Sequence, residues 1–287
     1  MKITEKSYQA SGRSCFICDF SPARSGDPGQ VDQADIEAEM LAVAYNPGRA
    51  VRANSAMLAA AIKSRLGKEA SFTLATRDMN KLAAESQLLG AQLLGLENVI
   101  VVSGDPFSER DMGRTKEVGD QLPTQLIAAI ASLNRGLDFR ESQLRAATDF
   151  CIGATVDLGR MLEPEAALAH RKVQAGAHFL ITQPIFDPGQ AASFEQAYEA
   201  VSGETLNLPI FYGLQVLEQD GVLFSTVPDA VREELAQGTP GVQIALELYR
   251  RFLDAGLHDI YLVPPIRRGG ARGYNAAREF LSGAGGR

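Results

Sequence analysis

Three side chains able to do chemistry each stand at the end of an apolar run: Asp19 after "SCFIC", Asp105 after "NVIVVSG" and Gln183 after "HFLIT". A carboxylate beside a low-dielectric wall can hold its proton to higher pH and serve as an acid. An amide presents a donor and an acceptor side by side, which suits the edge of a heterocyclic ring. Any one strand-end Asp reads equally well as the cap of a following helix or turn. The case for a site is that three polar ends converge. Arg267, Arg268, Gly269, Gly270 and Arg272 precede a terminal helix pattern and read either as an anion cradle or as a solvated basic loop. Arg171 and Lys172 reach a phosphate on one reading and solvent on the other.

Convergence requires a scaffold that brings strand ends together. Eight short runs read as strands: 14–20, 40–46, 71–76, 98–103, 150–155, 178–183, 209–214 and 259–264. Several are apolar at nearly every position, as strands covered on both faces are. Helix-period segments fall at 80–94, 163–176, 188–201, 241–256 and 273–281. In the first of these Leu82, Leu89 and Leu93 recur on one side, with Asp78 as N-cap. Pro164 sits in the first turn of the second and Gly176 just past its end. Strands alternating with helices predict an α/β fold, a (β/α)8 barrel spanning 1–287 as one domain. Its active site lies where the strands end, which is where Asp19, Asp105 and Gln183 stand. An open doubly wound sheet is the alternative, and no GxGxxG follows the first strand to support it.

The bulk numbers narrow the function. Among 287 residues, 45% are hydrophobic and 22% charged, with a net charge of −7 and no long basic tract. That argues against nucleic acid as a partner. No run of 18 apolar residues is present to span a membrane, and the first residues lack the apolar centre of a signal peptide. Cys15 and Cys18 form a CxxC, but on a strand their side chains point to opposite faces. Buried thiols are favoured over a metal or redox site, and no metal is expected. A reducing cytoplasm fits. A homo-oligomer is compatible with all of this.

Beyond this point the residues are specific. "TRDMNKLAAESQLLGAQLLGLENVIVVSGDPF" (76–107) resembles the signature stretch of the methylenetetrahydrofolate reductase family, in which a helix leads through a Leu-Gly turn to a strand ending Gly-Asp-Pro. "RKVQAGAHFLITQPIFD" (171–187) is similar to a second signature, and "LPIFYGLQVL" (208–217) to a fainter third. The resemblance implies a barrel that binds a reduced folate and FAD. Hydride passes from NAD(P)H through the flavin to methylenetetrahydrofolate, giving methyltetrahydrofolate, or runs in reverse. Asp105 then contacts the pterin, Gln183 and Phe186 contact the folate, and Asp19 takes the place of the family's general-acid Glu. Thr73, Ser103, Gly104, Thr155, Glu165, Arg171 and Lys172 fall at flavin-binding positions.

The departures cluster on the flavin side. Where the family has Tyr-Pro-Glu-x-His, this chain has Thr155-Val-Asp-Leu-Gly159, and Leu168 replaces an Asn. Ala44 and Ala75 replace a common Thr and His. Two further functions therefore stand beside the flavin-dependent reductase. One is a folate-binding relative without tight FAD, acting as a flavin-independent reductase or oxidase or in methyl transfer. The other is a non-catalytic folate-binding subunit.

Overall fold

Eight strands close into one parallel barrel in chain order: β1 (Cys15–Phe20), β2 (Met40–Val43), β3 (Ala70–Ala75), β4 (Asn98–Val102), β5 (Cys151–Val156), β6 (Phe179–Pro184), β7 (Ile210–Gln215) and β8 (Asp259–Val263). The computed structural model describes residues 1–285 other than Ser11, Phe224 and Arg268. The barrel closes where β1 pairs with β8, Ile17 opposite Tyr261. Around it run α2 (Ser55–Leu66), α3 (Lys81–Leu93), α4 (Pro123–Asn134), α5 (Leu162–Gln174), α6 (Gly189–Ser202), α7 (Asp229–Ala236), α8 (Gly241–Asp254) and α9 (Tyr274–Gly285). The expected (β/α)8 barrel is the observed fold.

Alternation along each strand divides the apolar residues into two cores. Ile17, Ala42, Ile100, Phe179, Ile181 and Phe211 fill the barrel interior, while Phe20, Leu41, Phe72, Val99 and Leu180 meet the helices. Cys15 belongs to the inner cluster and Cys18 to the outer, so the CxxC pair points to opposite faces as its strand position predicts. Burial pushes both thiols up. Among the described residues no group of His, Cys, Asp and Glu is arranged to hold a metal ion, and no helix is long and apolar enough to cross a membrane.

The interior is filled with little tolerance. A Cβ on Gly153 would lie 2.4 Å from the Phe179 ring, which in turn packs edge-on against Phe211. Gly153→Ala is therefore expected to cost about 1–3 kcal/mol by overpacking. A urea melt measures this, and adding Phe179→Leu should restore most of the loss. An unchanged midpoint in the single variant would show that the ring has room to move.

An additional helix, α1 (Ile3–Ala10), closes the amino-terminal mouth. Ile3 enters the inner core, and its N–H donates to Asn98 Oδ1 at 2.9 Å. The terminal ammonium pairs with Glu97 and Glu69. This end is sealed, which leaves the carboxyl-terminal mouth for ligands.

The structure differs from the sequence reading at three places that bear on the site. The second strand stops at Val43 rather than 46, because Asn46 turns left-handed (φ 40°) ahead of Pro47. Asn80, not Asp78, caps α3, accepting from the Ala83 N–H at 2.9 Å. The buried face of α3 carries Ala84, Leu88 and Ala91, whereas Leu82, Leu89 and Leu93 are exposed, Leu93 by 87%. Both stripes have helical period. The outer surface of the barrel receives the one that carries Ala84, Leu88 and Ala91.

Candidate active site

The carboxyl-terminal mouth is built from strand ends. Asp19 ends the inward row of β1 and is 4% exposed. Its Oδ1 accepts from the Tyr261 hydroxyl at 3.1 Å, and its Oδ2 accepts from Arg272 Nε at 2.7 Å. Arg272 comes from the β8–α9 loop. Burial disfavours its charge, but Asp19 more than offsets this and holds the guanidinium above its ordinary range. Tyr261 is pushed well up, by burial first and then by the Asp19 charge. Each Asp19 oxygen is thus engaged by a protein donor in a buried setting. The general-acid position of the resemblance is here one half of a buried ion pair.

Of the segment that reads as an anion cradle or a solvated basic loop, the described residues bond within the protein. Arg267 pairs with Glu218 at 3.0 Å, and Gly269 and Gly270 make a left-handed turn that returns the Gly270 N–H to the Arg267 carbonyl. Arg268 lies outside the described residues.

Asp105 has a different setting. It follows Gly104, whose φ of +86° only glycine adopts readily and whose Cα faces Arg77, where a Cβ would lie 3.1 Å from the Arg77 Cβ. Ser103 and Asp105 are exposed on the rim. Among the described residues no donor reaches the Asp105 carboxylate, although its backbone carbonyl accepts from Arg77 Nη1 at 2.7 Å. Asp105 is the open carboxylate of the mouth.

Gln183 lies at an irregularity in β6. The register slips between Ile181 and Pro184, and the Thr182 hydroxyl accepts the Gly213 N–H at 2.8 Å where the ladder is interrupted. A Cβ on Gly213 would lie 2.6 Å from the Gln183 carbonyl carbon, so the two strands approach closely only because Gly is there. Bulges of this kind re-aim side chains beside active sites. Gln183 is half-buried at the mouth. Gln215, which ends β7, donates its Nε2 to the Val222 carbonyl at 2.8 Å and draws the following loop over the rim. Phe186 is buried in the outer core cluster.

The residues expected to hold FAD lie on the neighbouring strands β3, β4 and β5 and on α5. Thr73 and Thr155 stand half-buried in the inward rows of β3 and β5, with Ser103 and Gly104 on the rim beyond β4. The α5 residues divide. Lys172 is 7% exposed and donates to the Thr155 carbonyl, and burial lowers its pKa. Glu165 is equally buried and accepts the Asp157 N–H at 3.0 Å. Both are struts in the seam between α5 and β5. Arg171, the next residue round the helix, faces solvent. A flavin dinucleotide needs its diphosphate charges met together, and this set does not fit one. Glu165 and Lys172, expected at the cofactor, are buried and hydrogen-bonded within the protein.

Residues that the sequence reading did not assign complete the mouth: Arg77, Tyr261 and Gln215. Tyr261 carried a faint signal, as an inward polar residue two places before the end of an apolar strand.

Comparison with known proteins sets this geometry in a family. A family model described as methylenetetrahydrofolate reductase matches residues 30–263, well over half of the chain. No curated protein matches it. Among solved structures, an uncharacterized protein from Clostridium thermocellum that binds two copies of 5-methyl-5,6,7,8-tetrahydrofolic acid is similar over 96% of both chains, with a TM-score of 0.62 and 12% identity. An oxaloacetate acetylhydrolase aligns over 91% of this chain and 80% of its own, with a TM-score of 0.53 and 12% identity. A 2,3-dimethylmalate lyase aligns over 92% and 79%, with a TM-score of 0.52 and 11% identity. At such identities these structures speak for the barrel alone. The sequence match spans the barrel from the first connecting loop to the last strand, including the Gly-Asp-Pro turn and the Gln183 strand end, and by it the chain belongs to the methylenetetrahydrofolate reductase family.

Proposed function

We propose that the chain binds a reduced folate across the carboxyl-terminal mouth and interconverts its 5,10-methylene and 5-methyl forms by hydride transfer, with NAD(P)H as the hydride source. The observation that carries the reading is Asp105, an open carboxylate on a glycine turn at the rim of a barrel of this family. A pterin presents a ring N–H beside an exocyclic amino group, two parallel donors that match a carboxylate. Gln183, re-aimed by the slip in β6, offers donor and acceptor to the same ring. A proton from solvent taken up at N10 breaks the N10–methylene bond and leaves an iminium on N5, whose carbon then accepts hydride from NAD(P)H. Asp19 stays paired with Arg272 and holds the loop that follows β8.

FAD is given no step, because Glu165 and Lys172 are taken up within the protein. That favours the folate-binding relative without tightly held flavin over the flavin-dependent reductase. The three unpaired thiols support a reducing compartment, and we place the activity in the cytoplasm.

One preparation tests the reading. Calorimetric titration with 5-methyltetrahydrofolate is expected to show binding, and titration with FAD none. Adding methylenetetrahydrofolate should then start NAD(P)H oxidation, followed by absorbance. Folate binding without oxidation would assign a non-catalytic folate-binding subunit. No folate binding at all would end the proposal.

A further inference from the structure

Arg77 is nearly buried and touches the Asp105 turn at Ser103, Gly104, Asp105 and Phe107. Its backbone N–H donates to the Ser103 carbonyl at 3.0 Å. Its Cβ packs against Gly104, and its Nη1 donates to the Asp105 carbonyl at 2.7 Å. Its guanidinium lies 4.3 Å from the centroid of the Phe107 ring. The remaining guanidinium nitrogens, Nε and Nη2, grip the two Asp78 oxygens at 2.6 and 2.7 Å. Asp78 is held in turn by the Tyr45 hydroxyl, which burial and that carboxylate push up to about 12. From the other side Arg49 donates to the Pro106 carbonyl at 3.1 Å.

We propose that Arg77 is the positioning residue of the site: it fixes the 103–107 turn so that the Asp105 carboxylate stays open at the mouth. The arrangement suits the task. A planar guanidinium serves two partners in one plane and stacks its face on an aromatic ring, which an ammonium cannot do. The ion pair with Asp78 spends the charge locally, so the contact to Asp105 is made to its backbone and leaves the carboxylate oxygens unoccupied. A guanidinium bound to that carboxylate instead would compete with the substrate. Arg77 thus carries the turn without consuming the group that the turn presents.

The inference rests on the reading of Asp105 as a reduced-folate contact. The test is a double-mutant cycle on the full chain, reading the dissociation constant of 5-methyltetrahydrofolate for wild type, Arg77→Met, Asp105→Asn and the pair, with Arg77→Lys alongside. Arg77→Met is expected to weaken binding about tenfold, the scale of one charge-assisted hydrogen bond. It should have little further effect once Asp105 is Asn, and Lys should not rescue it. Losses that multiply in the double variant would overturn the proposal, as would full rescue by Lys. Hydrogen exchange separates this from failure of the functional reading. If Asp105→Asn leaves folate binding unchanged, that reading fails, while faster exchange at residues 104–107 in Arg77→Met, with β4 still protected, continues to support the clamp. Unchanged exchange there would overturn it.

Discussion

Asp105→Asn is expected to weaken binding of 5-methyltetrahydrofolate about 10- to 100-fold and to leave the thermal midpoint nearly where it was. The two halves have separate causes. Asn keeps the shape but replaces one acceptor oxygen with a donor and removes the charge. Against the paired donors of a pterin edge it loses one hydrogen bond and turns another into a clash of N–H groups. A hydrogen bond to a charged group contributes about 1.5–3 kcal/mol, and each 1.4 kcal/mol is about tenfold in affinity. Stability is insulated because the Asp105 side chain is exposed and its carboxylate accepts no hydrogen bond among the described residues, and the turn is held through its backbone. Surface changes of that kind stay within about 0.5 kcal/mol. Titration calorimetry and a melt on the same sample decide the matter. Equal affinity for the two proteins would remove Asp105 from the site, and a large fall in midpoint would mean that its carboxylate is structural.

Much of this was readable in the chain, and what was not has a common physical origin. Strand positions came through because residues buried on both faces leave unbroken apolar runs, such as "NVIVV" and "CFIC". The rim positions of Asp105 and Gln183 followed from where those runs stop. Sequence pattern cannot say which polar groups find each other across the barrel. Asp19 and Arg272 are 253 residues apart and meet only because β1 closes on β8. Lys172 looks like a surface cation in sequence, but it turns under α5 to the Thr155 carbonyl. The α3 face was lost for a related reason. Period marks two stripes equally, and only the surface that receives the helix selects Ala84, Leu88 and Ala91 over Leu82, Leu89 and Leu93. Local pattern therefore locates the mouth, while closure of the barrel decides which of its charges remain open to a ligand.

Closure also makes Asp19→Asn the most damaging single change expected in this region. The variant leaves the Arg272 guanidinium, 3% exposed, without its buried countercharge, and breaking such a pair from one side costs about 3–5 kcal/mol. Tyr261 is affected less, because the Asn oxygen still accepts from its hydroxyl. The loss falls on the tie between β1 and the loop that leads from β8 into α9, so the mouth loosens where Arg52 also reaches the Gly269 carbonyl. Two controls distinguish this from a general packing defect. Raising salt from 0.1 to 1 M should barely change the difference between wild type and variant, since buried pairs are poorly screened. Adding Arg272→Met to Asp19→Asn should recover a large part of the stability, because the uncompensated charge is then gone. Urea midpoints for the three proteins at both salt concentrations measure this. If the double variant were as unstable as the sum of the two single changes, the pair would not be the unit that holds the loop.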